Sequence, residues 1–329
     1  MLVLWSRERT KMKLTTVDGI KTLYLHQSDI GTLRMCPEQA RLQLRGDYFD
    51  PDADVAAIGT RTHSFIEWCL HYRQDQGIWP YGSDLLDQLQ QEVDQLVEDW
   101  PSLWLHPHMV DSCATASLEL ESCCHRWFNE IIPQIDTSNV AGWEIEKRFD
   151  IDVSVKWPTA DRIAIRGSID FFDGVNTIWD WKTGRFDKRD GWKKDRYDIQ
   201  APMYTYAKHV EMANLGSGSV NFNFGYIPRG KSDTHVYSMQ LGKGKWAMML
   251  NEVESWGVTI LKLGTEEPWP LGPDDWHCSP RWCSEFALGK CRGHYEESFW
   301  PDEQNTLVEL KQKVDAGIVP GPKEHHPDE

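Results

Sequence analysis

The sequence has no apolar run long enough to cross a membrane. Its first residues, MLVLWSRERTKMKL, hold too short an apolar stretch, in the wrong order, for a secretory leader. Both absences predict a cytoplasmic protein with no membrane partner, in which eight cysteines are thiols or metal ligands rather than disulfides. There is no internal repeat, no low-complexity tract and no Walker A loop, so any unwinding of a duplex must come from a partner. Basic residues are also scarce: 35 Lys and Arg against 51 Asp and Glu leave a net charge of −16, which as a whole disfavours non-specific nucleic-acid binding. From Gln74 to His125 there is no Lys or Arg at all, but ten acids. What basic charge there is clusters. Lys182 to Arg196 carries seven basic residues against three Asp.

That basic segment follows the stretch GSIDFFDGVNTIWDWKTG, residues 167–184. Two strands, Arg162–Phe172 and Thr177–Lys182, flank an Asp173-Gly174 turn. Alternation puts Ser168 and Asp170 on one face of the first strand, and Asp180 and Lys182 on one face of the second. A loop of residues 173–177 sets Asp170 opposite Asp180. Two carboxylates crowded at a sheet end must be paired or hold a metal, and they suit a hard divalent cation.

Around this hairpin the chain reads in order. Ser28-Asp29 caps a helix interrupted near Pro37, and residues 46–57 form an Asp-rich loop. A helix with Thr60 or Thr62 near its start then places His63 and Glu67 on one face. A second helix covers about Ser83 to Trp100, with Leu86, Leu89, Val93, Leu96 and Val97 at core spacing, and a third covers about Asp111 to Ile132. The sheet, of four or five strands, begins near Trp143. A helix from about 197 to 213, two further strands and a long helix over Lys243 to Leu263 complete it. Cys69, Cys113, Cys123 and Cys124 fit no ligand spacing and read as core residues.

Four separated motifs occur together: GTRTHSFIE (Gly59, His63, Glu67), GSIDFFDG (Gly167, Asp170), IWDWKTG (Asp180, Lys182, Thr183, Gly184) and DIQAPMYTY (Gln200, Tyr204). In this order they resemble the RecB-type branch of the PD-(D/E)xK nucleases, which includes CRISPR-associated and phage exonucleases; the resemblance spans roughly residues 25–295. It implies an α/β fold: a restriction-endonuclease-like core, its mixed central sheet flanked by helices, with a helical arm and a Cys-rich C-terminal segment. One nuclease domain over 1–329 would comprise a helical part with its acidic arm (1–142), catalytic sheet and helices (143–263), the Cys-rich segment (264–299) and a partly disordered tail (300–329).

The activity expected is metal-dependent hydrolysis of DNA by an exonuclease, on single-stranded ends, with 5′ to 3′ polarity implied by the resemblance alone. The rival readings are a structure-specific endonuclease or flap nuclease of the same fold, a non-catalytic DNA-binding module and a redox iron–sulfur protein. Asp170 and Asp180, with the Trp181 carbonyl, are the expected ligands of magnesium or manganese; the resemblance adds His63, and Glu67 is a further or outer ligand. Lys182 would orient the nucleophile and offset charge, with Gln200 and Tyr204 bordering the site. Arg185, Lys188, Arg189, Lys193 and Lys194, with Trp192 between them, can track a nucleic-acid strand by phosphate contact and stacking.

The resemblance also implies that Cys36, Cys278, Cys283 and Cys291 ligate a [4Fe–4S] cluster, although the last three run C-x4-C-x7-C where tighter spacing is usual. Zinc on those three with Cys36 or His294, or plain buried thiols, are the alternatives. A helicase, recombination or CRISPR-adaptation partner, in a bacterium, archaeon or phage, completes the expectation.

Overall fold

The computed structural model describes residues 12–48, 51–105, 110, 112–153, 161–184, 199–213, 220–230, 233–271, 283–288, 291 and 306–319. Seven strands form one mixed sheet: β1 (Lys13–Val17), β2 (Ile20–Leu25), β3 (Glu144–Asp152), β4 (Arg162–Phe172), β5 (Thr177–Gly184), β6 (Asn221–Pro228) and β7 (His235–Gln240). The order is β1-β2-β4-β5-β6-β7, and β3 pairs with β4. The mixed α/β class is as expected, with more strands than the four or five predicted. The extra pair precedes the first helix. Asp18 and Gly19 both take positive φ (51° and 78°), the two-residue turn that matches strand twist, and Val17 pairs with Ile20. The signal, Asp-Gly between alternating residues, was present in the sequence.

The chain divides into two compact units. The first comprises Met1–Pro51, Asp150–Gly167 and Leu250–Glu329. In it β2 pairs in parallel with the start of β4, and Leu23, Leu25, Ile163 and Ile165 are fully buried. Helices α1 (Gln27–Met35) and α2 (Pro37–Arg45) are separated at Cys36, as Pro37 predicts. The cap of α1 is His26 rather than Ser28-Asp29. Asp29 sits inside the first turn and its carboxylate accepts from the His26 backbone N–H (2.7 Å), which leaves Ser28 no capping role.

The second unit comprises Asp52–Phe149 and Ser168–Met249. It holds α3 (Asp54–Gln76), α4 (Gly82–Asp99) and α5 (Cys113–Arg126). Helix α3 starts well before Thr60. A tertiary tie sets that boundary: Asp54 N–H donates to Trp104 O (3.1 Å) and Trp104 N–H to Asp52 O (2.7 Å), inside the stretch expected to be loop. On α4, Leu89, Val93 and Leu96 are buried, whereas Leu86 and Val97 are 59% and 50% exposed. A single narrow stripe covers the contact, so the outer two of the five predicted core positions face water.

Cys69, Cys123 and Cys124 are fully buried as predicted, whereas Cys113, expected with them, is only half-buried at the first turn of α5; burial pushes the Cys123 thiol up to about 12. Helix α6 (Gln200–Ala213) lies on the crossover that parallel pairing of β5 with β6 demands. Beneath β5 the aromatic rings interlock. Trp181 stacks on Trp179 (5.4 Å between centroids) and meets Trp127 edge-on (5.8 Å), and Trp143 meets Phe171 edge-on (5.0 Å). Two further helices of the described residues are α7 (Lys243–Leu263), predicted over those same residues, and α8 (Ser284–Ala287).

Candidate active site

The site is built within the second unit, on the β4–β5 hairpin. Asp173 Oδ1 accepts from the backbone N–H groups of Val175, Asn176 and Thr177 (2.9 Å each), and Gly174 takes φ 73°, so the chain reverses tightly. Phe171 pairs with Trp179 and Phe172 with Ile178. Carried one pair further, that register sets Asp170 opposite Asp180, as the spacing predicts. Asp170 Oδ2 accepts from the Trp181 N–H (2.9 Å), which fixes its carboxylate to the neighbouring strand. Trp181 cannot shift easily: a side chain at its β6 partner, Gly225, would come within 2.6 Å of the indole ring.

Helix α3 delivers His63. Gly59 allows the approach, since a Cβ there would stand 2.8 Å from Thr183 Oγ1 of β5. One turn on, His63 Nδ1 lies 3.3 Å from Asp170 Oδ2. Asp180 is almost completely buried and is held on both oxygens. Lys182 Nζ lies 2.5 Å from Oδ2, and Gln200 Nε2 donates to Oδ1 (2.6 Å). Among the described residues the Gln200 amide oxygen is buried with no hydrogen-bond partner. Tyr204, one turn along α6, is buried too. Desolvation first, then the nearby Asp180 and Asp170 carboxylates, push its phenol well above the usual range, so it keeps its proton.

The sequence reading missed Glu146. Its carboxylate, His63 Nδ1 or Nε2 and an Asp170 oxygen all lie within 4.8 Å of one another. Ser168 Oγ donates to Glu146 Oε2 (3.1 Å). Glu146 takes a left-handed φ of 49° in the middle of β3, a conformation uncommon for a residue with a side chain. Nothing local announced it. Glu67 is half-buried on α3 and stands outside this trio, as does Asp180, which Lys182 and Gln200 engage instead. An imidazole nitrogen with two carboxylates is a donor set that fits a divalent cation with positions left for water or phosphate oxygens.

Arg185, Lys188, Arg189, Trp192, Lys193 and Lys194 lie outside the described residues, and so do Cys278 and His294. Cys36, Cys283 and Cys291 are half-buried in the first unit.

The family model of the PD-(D/E)XK nuclease superfamily matches residues 25–285, and the chain belongs to that superfamily. It is therefore a nuclease, of a family that acts on DNA and typically depends on divalent metal. No curated protein matches it. Among solved structures it is similar to a protein from Eubacterium rectale provisionally named an exonuclease, at 12% identity over 77% of this chain and 85% of that one, with a TM-score of 0.47. It is also similar to the protein SSO0001, at 12% identity over 83% of this chain and 87% of that one, with a TM-score of 0.37.

Proposed function

We propose that the chain is a metal-dependent exonuclease that hydrolyses phosphodiesters at single-stranded DNA ends, with His63, Glu146 and Asp170 holding a divalent cation and Asp180 completing the cage. The observation that carries this reading is the convergence of those three donors beside the Asp180–Lys182–Gln200 group. Magnesium or manganese, when bound, supplies Lewis-acid stabilisation for the charge that builds on the phosphoryl oxygens and eases deprotonation of a water. Lys182 offsets part of the phosphate charge and orients the nucleophile. Gln200 holds Asp180 with its amide N–H and presents its open carbonyl to a water proton. Tyr204, kept neutral, serves as a donor rather than a base. The Trp181 carbonyl and Glu67 are further ligand positions, and the basic segment 185–194 tracks the strand. The 5′ to 3′ polarity rests on the family resemblance alone.

We assign the four cysteines to a [4Fe–4S] cluster. In support, the segments that bear them are tied together in the first unit: Glu38 N–H donates to Pro270 O (3.1 Å), and Ser284 N–H to the Tyr48 hydroxyl (3.4 Å). No helix among the described residues is long and apolar enough to cross a membrane. We further propose, on the family resemblance alone, that the protein works in the cytoplasm beside a helicase, recombination or CRISPR-adaptation partner.

The test is cleavage of end-labelled linear and circular single-stranded DNA with manganese or magnesium. The native chain is expected to shorten the linear substrate and spare the circle, and Asp180→Ala is expected to lose at least about 100-fold in rate. Equal rates in the two proteins end the catalytic assignment; cleavage of the circle turns it to an endonuclease. A brown preparation with about four irons per chain supports the cluster, and zinc in its place overturns it.

A further inference from the structure

We infer that the buried Lys208–Glu144 ion pair is a positioning element of the site: it ties the strand that carries Glu146 to the helix that carries Gln200, and so sets how the carboxylates are spaced around the cation. The inference rests on the metal-dependent nuclease reading and extends it to two residues that no motif of the sequence marks.

Gln200, Tyr204 and Lys208 follow one another at steps of four along α6, so they lie on one face of that helix. All three are buried. Gln200 reaches Asp180 on β5 (2.6 Å). Tyr204 meets Phe149 of β3 edge-on, with 5.6 Å between ring centroids. Lys208 Nζ donates to both carboxylate oxygens of Glu144, the first residue of β3 (2.8 and 2.7 Å), and to Glu211 on its own helix (3.1 Å). The same ammonium stands 4.2 Å from the centroid of the Phe172 ring, on the strand that carries Asp170. One helix face thus touches β3, β4 and β5, the three strands that bear the acids of the site.

The two contacts to β3 fall on either side of Glu146, at residues 144 and 149. Between them Glu146 holds its left-handed φ of 49°, a conformation that persists only where the surroundings impose it. Holding the strand before and after the kink is one way to impose it. The choice of residue types points the same way. Lys208 is only 3% exposed, and an ammonium withdrawn that far from water gains little stability over an apolar pair of the same volume. What the ion pair adds is direction. Two short bonds from one ammonium to one carboxylate fix a single arrangement of helix and strand, where an apolar contact could slide. Residues that orient metal ligands without touching the ion commonly set its affinity by a factor of about 10 to 100. Lys208 and Glu144 stand in that relation to Glu146 and Gln200.

Two measurements on the full chain test the pair: manganese affinity by calorimetry, and steady-state cleavage of linear single-stranded DNA. Lys208→Met keeps the length of the side chain and removes its charge. Lys208→Met combined with Glu144→Gln removes both charges and strands neither, so it keeps the test open if the single variant fails to fold. In each folded variant manganese affinity is expected to fall about tenfold or more, and kcat at fixed manganese with it. KM for DNA should hold, because Lys208 lies too deep to touch a substrate. A pair that serves stability alone would lower the urea midpoint and leave the affinity of the folded protein as it was. Native affinity and kcat in the folded double variant therefore overturn the positioning role and leave the nuclease reading intact. So does a raised KM at native kcat, which would assign the pair to holding DNA. Failure of both variants to fold makes the pair a staple and overturns the inference. A native chain that binds no manganese overturns the metal reading and this inference together.

Discussion

Glu38 in the first unit and Glu146 in the second are both acids withdrawn from solvent, yet their surroundings differ in kind. Glu38 faces one cation that matches it. Both its oxygens accept from Arg41 (2.8 Å each), one of them also accepts from the Trp269 N–H (2.7 Å), and Arg41 spends a further N–H on Thr265 O (2.7 Å). Charge, hydrogen bonds and helical backbone all agree. Around Glu146 they do not. Glu146 and Asp170 converge with the His63 imidazole, Asp180 on the next strand is held by the Lys182 ammonium, and the backbone of Glu146 is left-handed inside β3. Surplus negative charge below the surface is costly unless a cation neutralises it. The first cluster needs nothing more to be stable. The second has the donor set of a divalent-cation site, and this difference separates a candidate site from a staple.

The comparison can be broken at either end. The largest effect on stability is expected from Glu38→Ala, which strands the Arg41 guanidinium in a buried setting; losing one partner of such a pair costs about 3–5 kcal/mol. Urea unfolding reads it as a lower midpoint at constant slope, and a loss below about 1 kcal/mol would show that the pair is not the staple described. Cleavage by the folded variant should match the native rate.

Next comes His26, which joins β2 to α1 in the same unit. Burial first, and the Arg166 guanidinium second, lower its imidazole from 6.5 to about 4. The folded form therefore binds its proton only below about pH 4, while the unfolded chain binds one below 6.5. Stability from this residue is full above pH 6.5 and is lost as pH falls from 6.5 to about 4, with a ceiling on the order of 3 kcal/mol. Unfolding at pH 7.5 and 4.5, compared between the native chain and His26→Gln, checks the sign; equal pH dependence in both removes the claim.

The smallest effect sharpens the other side. Glu146→Gly relieves the left-handed strain and one carboxylate contact, so metal-free stability should rise by about 1 kcal/mol. Manganese affinity, read by calorimetry, should fall at least about tenfold because one ligand is gone. Stability and cation binding moving in opposite directions is the signature of a functional rather than a structural acid. A drop in both would make Glu146 a structural residue.

Much of the site was legible because it is local. The hairpin of residues 167–184 has its turn chemistry, its alternation and both acids in one stretch, so even the register that faces Asp170 with Asp180 could be read. His63 was legible only through its motif, and the alternation in EIEKRFDID gave no sign that it breaks at Glu146. The start of α3 was misjudged because the Trp104 backbone, far along the chain, sets it. Leu86 and Val97 were misjudged because periodicity finds the apolar stripe of a helix but not the width of the surface it meets.

Periods of two and of three and a half residues, with Gly, Pro and Asp at the turns, were enough to determine which elements form and which side chains share a face. They could not determine which faces meet. That Glu146, rather than Asp180, joins His63 and Asp170, and that Asp180 turns instead to Lys182 and Gln200, was decided by packing among β3, β4, β5, α3 and α6. Contacts between distant segments depend on how the whole unit closes around its tryptophans, and no local period carries that information.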